Sequence, residues 1–262
     1  PIEKMKPFFD KVARNKYLKA IKDGFISSMP IILFSSIFLL IAYVPNVFGF
    51  YWSKEIETII MKPYNYSMGI LAIAVAATTT KHFTDTLNRE MPANNQINSI
   101  STMICAICGF LILSSDALEG GFASEFMGSK GLLTAFMTAF VVGGIYKFCI
   151  KRNITIKMPE QVPPAVSQSF NLLLPIMIVL AVTGVLNFIF NNITSDGIQV
   201  LIYNMIQAPL TSLGSSMGTI IVFVVVQQFL WVLGIHGPNT LNALRSVIFT
   251  EQQNMNLAYV AA

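Results

Sequence analysis

The stretch Gly218-Thr-Ile-Ile-Val-Phe223-Val-Val-Val-Gln227-Gln-Phe-Leu-Trp231-Val-Leu-Gly234-Ile-His236-Gly237-Pro238-Asn239 decides how this chain is read. Its first part carries no charge and is long enough, with the residues before it, to cross a bilayer. Its last nine residues turn that apolar segment into a kinked, polar corner. Gly237 can end a helix, and Pro238 suits the first position of a new one. Helical spacing then resumes through Asn239-Thr-Leu-Asn242-Ala-Leu-Arg245-Ser-Val-Ile-Phe249. A helix break at membrane depth is tolerated only where it is buried in protein or lines a polar cavity. The corner holds one of the two histidines and one of the two tryptophans in the sequence, so scarce side chains are concentrated where the backbone is free. A neutral imidazole both donates and accepts, and the Asn239 amide offers two donors and an acceptor. Trp231 lies one helical turn after Gln227 and shares its face. An indole plane with an imidazole and carboxamides suits a sugar, whose C–H face packs on the ring while its hydroxyls need partners. A structural role competes with this reading: Trp231 as a residue of the interfacial belt, His236 as a cap for freed carbonyls.

Working outward, 54% of the 262 residues are hydrophobic and only 11% are charged, against roughly 25% charged in soluble proteins. So little charge cannot cover a water-facing surface, and the fold class is an all-α polytopic membrane protein. Six apolar segments are expected at about 25–45, 66–83, 100–115, 131–150, 170–190 and 213–235, each near the ~20 residues that span ~30 Å of hydrocarbon. The third is short enough to be re-entrant. The second, with Thr78-Thr79-Thr80 and several alanines, is expected to face protein more than lipid. Residues 1–24, rich in lysine between apolar residues, read as a basic amphipathic helix on an anionic membrane surface. Residues 25–190 are expected to form an N-terminal helical membrane domain, and 191–262 the first part of a second domain, truncated at Ala262.

The net charge of +4 does not mark nucleic acid, because the basic residues sit between apolar runs instead of forming a patch. When alternate connections are assigned to opposite sides, fourteen of the seventeen Lys and Arg share the side of the N-terminus. That bias places the N-terminus, and the corner at His236, towards the cytoplasm. Cys105-Ala-Ile-Cys108 lies inside an apolar run with no second ligand pair, so no metal site is expected. Phosphate-binding, zinc-protease and nucleophile-elbow motifs are absent, and no cofactor is expected. Two further stretches are candidates for ligand contact. Asn94-Asn95-Gln96-Ile97-Asn98 can bind hydroxyls or form a solvated turn. Gly128-Ser-Lys130-Gly131 lets backbone approach a ligand or a neighbouring helix.

With these residues in view, the chain resembles the membrane component, enzyme IIC, of bacterial phosphoenolpyruvate-dependent sugar phosphotransferase systems, in the lactose/cellobiose/diacetylchitobiose family. The resemblance rests on Trp231–Asn239, on Gly128-Ser-Lys-Gly131-Leu, and on Met158-Pro-Glu-Gln-Val-Pro163-Pro164-Ala-Val-Ser-Gln-Ser-Phe170. Arg14-Asn-Lys-Tyr-Leu-Lys-Ala-Ile-Lys-Asp-Gly24-Phe, Met29-Pro-Ile-Ile-Leu-Phe-Ser-Ser-Ile37, Pro63-Tyr-Asn-Tyr-Ser-Met-Gly-Ile70 and Asn95-Gln-Ile-Asn98 resemble the lactose branch in particular. It implies a homodimeric permease in the bacterial cell membrane that carries a β-linked disaccharide, with lactose favoured. The permease is a transporter by itself, and a IIB phosphocarrier partner donates the phosphoryl group from a phosphocysteine. The substrate-binding residues so implied are His236, Asn239, Trp231, Gly131 and Asn98. The family's Asn-Glu-Pro carboxylate motif has no counterpart here, since Glu251 does not match it, so part of the site is expected beyond Ala262. Two rival functions remain: an ion-coupled secondary sugar transporter and a non-transporting membrane scaffold. The first calls for an acidic residue within a span, and the six expected segments contain none. The second leaves the corner without a purpose.

Overall fold

From Lys16 the basic and apolar residues run into the first apolar segment without a break, and together they form one helix, α1 (Lys16–Val47). The computed structural model describes residues 15–92, 96–156, 159, 161–162, 164–194, 197–214 and 216–232, with 241, 245, 248–249, 252–253 and 256 beyond them. Asn15 caps α1 by accepting from the backbone N–H groups of Tyr17 and Leu18, at 2.9 and 3.3 Å. The expected surface helix over 1–24 is therefore, from Lys16 on, the first turns of α1 itself; its residues 1–14 lie outside the described residues. The physical reason is at Gly24. It ends nothing, and is instead where α1 meets its neighbour. A Cβ at Gly24 would lie 2.5 Å from the Thr79 Cα.

The chain returns along α1 as two helices, α2 (Lys54–Met68) and α3 (Leu71–Asn88). Ser53 caps α2, with Glu55 and Glu57 in its first turn, where the helix dipole favours them. The expected second segment, 66–83, thus contains a break at Gly69-Ile70. The break is held open from outside: the Ala72 N–H, in the first turn of α3, donates to the Met127 carbonyl at 2.8 Å. After α3 come α4 (Ser99–Ser114), a small hairpin of β1 (Ala117–Leu118) and β2 (Gly121–Phe122), and a 3-10 turn, Ser129–Gly131. That turn leads into α5 (Leu132–Lys151). Then follow α6 (Pro164–Thr194), α7 (Gly197–Ile202), a π-helical segment (Tyr203–Gln207), α8 (Ala208–Gly214) and α9 (Met217–Val232).

Four stretches among the described residues are long and apolar enough to cross a membrane: 16–47, 54–88, 129–151 and 172–193. The third expected segment falls short of that length. At 1.5 Å per residue the 16 residues of α4 reach only about 24 Å. Of the sixth, 213–214 end α8 and 217–232 form α9, while 215 and 233–235 lie outside the described residues. The fold remains the all-α membrane architecture that the composition demands.

At the centre is α3, packed against α1, α4 and α5. Its Leu71, Ala72, Val75, Ala76, Thr79 and Thr80 are fully buried. Small side chains let helix backbones approach, which is how membrane helices associate without a hydrophobic driving force. Hydroxyls fill the seam. Ser28 Oγ lies 3.1 Å from Thr78 Oγ1, Thr78 Oγ1 donates to the Gly24 carbonyl at 2.8 Å, and Ser27 Oγ lies 2.8 Å from His82 Nε2. Two aromatic clusters flank this seam, around Phe110 and Phe136 on one side and Phe83 and Tyr146 on the other.

One end of the bundle is tied by charge. Glu90, just past α3, meets Lys147 of α5 at 3.2 Å and Lys16 of α1 at 3.5 Å. The Lys147 hydrogen bond, aided by the Lys16 charge, holds the Glu90 carboxyl below the usual carboxylate range. The tie therefore persists above that range and is lost as pH falls through the lowered pKa. Being exposed, it is worth at most about 1 kcal/mol.

The α1–α3 seam yields a direct test. Gly24→Val overfills it, and its thermal unfolding in detergent should fall by an amount equivalent to roughly 1–3 kcal/mol or more. Gly144→Ala, where a Cβ meets nothing within 4 Å, should leave the transition unchanged or raised. Equal effects of the two would contradict the packing described.

Candidate functional site

The corner is approached from both sides by described residues that converge. α9 carries Gln227 and, one turn later, the backbone of Trp231. The Trp231 side chain, His236 and Asn239 lie outside the described residues. Upstream of the corner, Phe223 stacks edge-on against Phe249 downstream of it, with ring centroids 5.4 Å apart and planes at 84°. Gly214, at the end of α8, packs against Ile248, which is buried. The chain before and after the corner therefore runs side by side.

Between these two strips and α1 lies a cavity of about 650 Å³. Gln227, Arg245, Gln252, Gln253 and Asn256 supply its polar lining, and Phe223, Phe249 and Phe25 much of its apolar wall. Its α1 residues, Phe25 to Leu33, follow directly on the charged turns of α1 that end at Asp23 and belong to the apolar part of that helix. Amides both donate and accept, while a guanidinium donates five N–H groups in a fixed fork. Together with the aromatic rings this arrangement can hold a polar, uncharged ligand with an apolar face. Sequence reasoning singled out Gln227 but used Arg245 only as a topology marker, and it missed Gln252 and Asn256. Their signal is faint, because each is an ordinary polar residue on a helical stretch.

The other two candidates are elsewhere. Asn98 caps α4: its Oδ1 accepts from the backbone N–H groups of Ile100 and Ser101 at 2.9 and 3.1 Å. The preceding residue is clamped as well. The Asn88 amide donates to the Ile97 carbonyl and accepts its N–H, both at 2.8 Å. Of the readings open for Asn94–Asn98, the described part is a capped turn; residues 93–95 lie outside the described residues.

Gly131 is buried at the start of α5, where any Cβ would overlap the Phe126 carbonyl and come within 3.1 Å of the Phe110 ring. Gly128, at the other end of the turn, faces the Met68 carbonyl, which a Cβ would approach to 3.1 Å. The Gly-Ser-Lys-Gly turn therefore meets neighbouring backbone, at the break between α2 and α3. Gly131 packs beside Phe110, twelve residues along α4 from Asn98, which at helical rise is about 18 Å. The structure does not bring Asn98 and Gly131 together, and neither lines the cavity beside the corner.

Comparison with known proteins bears on what this arrangement is for. The family described as "Phosphotransferase system, EIIC" matches residues 22–262. A "PTS system lactose-specific EIICB component" of Staphylococcus aureus (strain COL) is 54% identical over 239 residues, covering 91% of this chain and 42% of that protein. The protein so named in Staphylococcus epidermidis is 48% identical over 262 residues, covering all of this chain and 45% of its own length. The chain thus spans less than half the length of these relatives. Among solved structures it is similar to the transporter ChbC, "the IIC component from the N,N'-diacetylchitobiose-specific phosphotransferase system". The TM-score is 0.78 at 27% identity, with 92% of this chain and 58% of that chain covered.

The cap on α4 separates a structural from a ligand-binding Asn98. Asn98→Ala should cost about 1 kcal/mol in thermal unfolding, and Asn98→Asp, which keeps the accepting oxygen, far less. Equal losses would show that the amide nitrogen has work of its own.

Proposed function

This chain belongs to the phosphotransferase system EIIC family, and from that premise we propose that it forms the sugar-conducting part of a lactose-type permease. In this reading the corner at residues 231–239 is one wall of the sugar site. His236 and Asn239 hydrogen-bond sugar hydroxyls, and Trp231 packs on the ring face. The observation that carries the reading is the cavity of about 650 Å³ between the two arms of the corner, lined by amides, a guanidinium and aromatic rings. Lactose is favoured among β-linked disaccharides because the relatives most of this chain matches are lactose-specific. Asn98 and Gly131 act in the scaffold, one as a helix cap and the other as a close backbone contact.

The basic residues orient the site. Lys16, Lys147, Lys151 and Arg152 lie at the same end of the bundle as Glu90, which the lysine and arginine bias assigns to the cytoplasm. There a IIB phosphocarrier donates its phosphoryl group to the bound sugar; the relatives, named EIICB, carry both letters in one name. The sugar hydroxyl oxygen forms the new P–O bond as the bond from phosphorus to the carrier's cysteine sulfur breaks. This chain's own residues contribute position and not covalent chemistry. The exposed apolar face of α1, including Leu33, Phe34, Ile37 and Leu40, suits a second copy of the chain or lipid.

An ion-coupled carrier is the weaker alternative. The carboxylate within α3, Asp85, is engaged by Lys81 at 2.6 Å and by Ser99 at 2.5 Å, close to the end of its helix, where it stabilises a junction.

In the full-length protein, His236→Ala should weaken lactose binding about five- to a hundredfold with folding intact, as a buried hydroxyl loses its partner. Phosphorylated sugar should form only when the IIB carrier and its phosphoryl donor are both present. Accumulation of unmodified lactose under a proton or sodium gradient would overturn the assignment.

A further inference from the structure

Among the described residues, three of the four stretches long enough to cross a membrane meet at one level. The stretch 16–47 begins, and 54–88 and 129–151 end, around Glu90. The charges there do not balance. Lys16 Nζ and Lys147 Nζ approach the same carboxylate oxygen, Glu90 Oε2, at 3.5 and 3.2 Å, so a single negative charge serves two positive ones. Lys19 lies one turn further along α1 and shares the face of Lys16. Lys151 lies one turn beyond Lys147 and shares its face on α5. Lys19, Arg89, Lys151 and Arg152 make no ion pair among the described residues, while Asp23 and Asp85 are taken by Lys22 and Lys81. The ends of α1, α3 and α5 thus form a cationic rim around one carboxylate.

Unpaired ammonium and guanidinium groups are costly to take out of water, so apolar chain cannot cover this rim. It faces lipid headgroups, water or an acidic partner. The side chains beside the cations favour the first. Tyr17 and Leu18, between Lys16 and Lys19, are 45% and 42% exposed, and Phe148, next to Lys147, is 56% exposed. Lys16 also stands over the Tyr17 ring, 5.8 Å from its centroid. Apolar surface left open directly beside cations, at the level where three spans end, matches a molecule with an anionic head and a hydrocarbon tail.

We propose that this rim is a binding site for an anionic phospholipid. The phosphodiester sits between Lys16 and Lys19 of α1 and Lys147 and Lys151 of α5, and the acyl chains run along Tyr17, Leu18 and Phe148. The bound lipid supplies the negative charge that Glu90 alone does not, and so joins the ends of α1 and α5. The site does not depend on the sugar reading. It also differs from a basic helix lying on the membrane, because it is built from three spans.

Electron spin resonance of spin-labelled lipids, with the full-length protein in phosphatidylcholine bilayers, tests this. The wild type should immobilise labelled phosphatidylglycerol about tenfold in preference to labelled phosphatidylcholine at low salt, and high salt should weaken the preference. Lys19→Gln with Lys151→Gln should bring the two lipids to within about twofold of each other. Lys54→Gln with Lys62→Gln removes as much charge from exposed positions on α2 and should leave the preference intact. Soluble glycerol 3-phosphate should not displace the lipid. Equal selectivity in the wild type, or equal losses in the two double variants, would overturn the proposal. Displacement by glycerol 3-phosphate would do so too, as would loss of IIB binding in the Lys19 and Lys151 variant with its lipid preference unmoved.

Discussion

Backbone contact between α1 and α3 at Gly24 and Thr79 is the constraint from which the rest of the bundle follows. Lipid offers helices no hydrophobic reason to associate, so close van der Waals approach and paired hydroxyls must suffice. A glycine on one helix and a run of alanines and threonines on the other permit both. With that seam closed, α3 is packed between α1, α4 and α5, with no residue of it fully exposed. Its fully buried face then sets where α4 and α5 pack, and Glu90 ties the ends of α1 and α5 to one level. The helix break at Gly69-Ile70 follows from the same crowding. The 126–131 turn lies against it, and the Met127 carbonyl takes up an N–H that a continuous helix would have used.

Much of this was legible in the sequence because bilayer physics is coarse. Scarcity of charge, apolar runs of spanning length and lysines between them specify a polytopic helical protein whatever the details. Thr78-Thr79-Thr80 correctly signalled a helix facing protein. Tertiary facts were not legible. The break inside 66–83 is invisible where an apolar run continues across a glycine, since only the Met127 carbonyl makes it tolerable. The division between a surface helix and the first span dissolved because Gly24 serves packing and ends no helix.

The candidate site divides the same way. Residues 231–239 stand out by composition alone, and most of them lie outside the described residues. Asn98 could not be assigned from sequence, because a cap and a ligand contact use the same amide oxygen; its place before a long apolar helix was the available clue. Gly131 needed its neighbours, Phe126 and Phe110, to show what it approaches.

The central claim, that sugar occupies the cavity between the arms of the corner, is tested most directly by ligand protection of Gln227→Cys in the full-length protein. Within this chain Cys105 and Cys149 are buried and Cys108 is exposed; Cys108→Ala removes it, and labelling of any further thiol is subtracted using the same protein with Gln227 intact. Lactose should slow maleimide labelling at position 227 in a saturable way, with sucrose far less effective. Labelling at an unchanged rate under saturating lactose would contradict the claim.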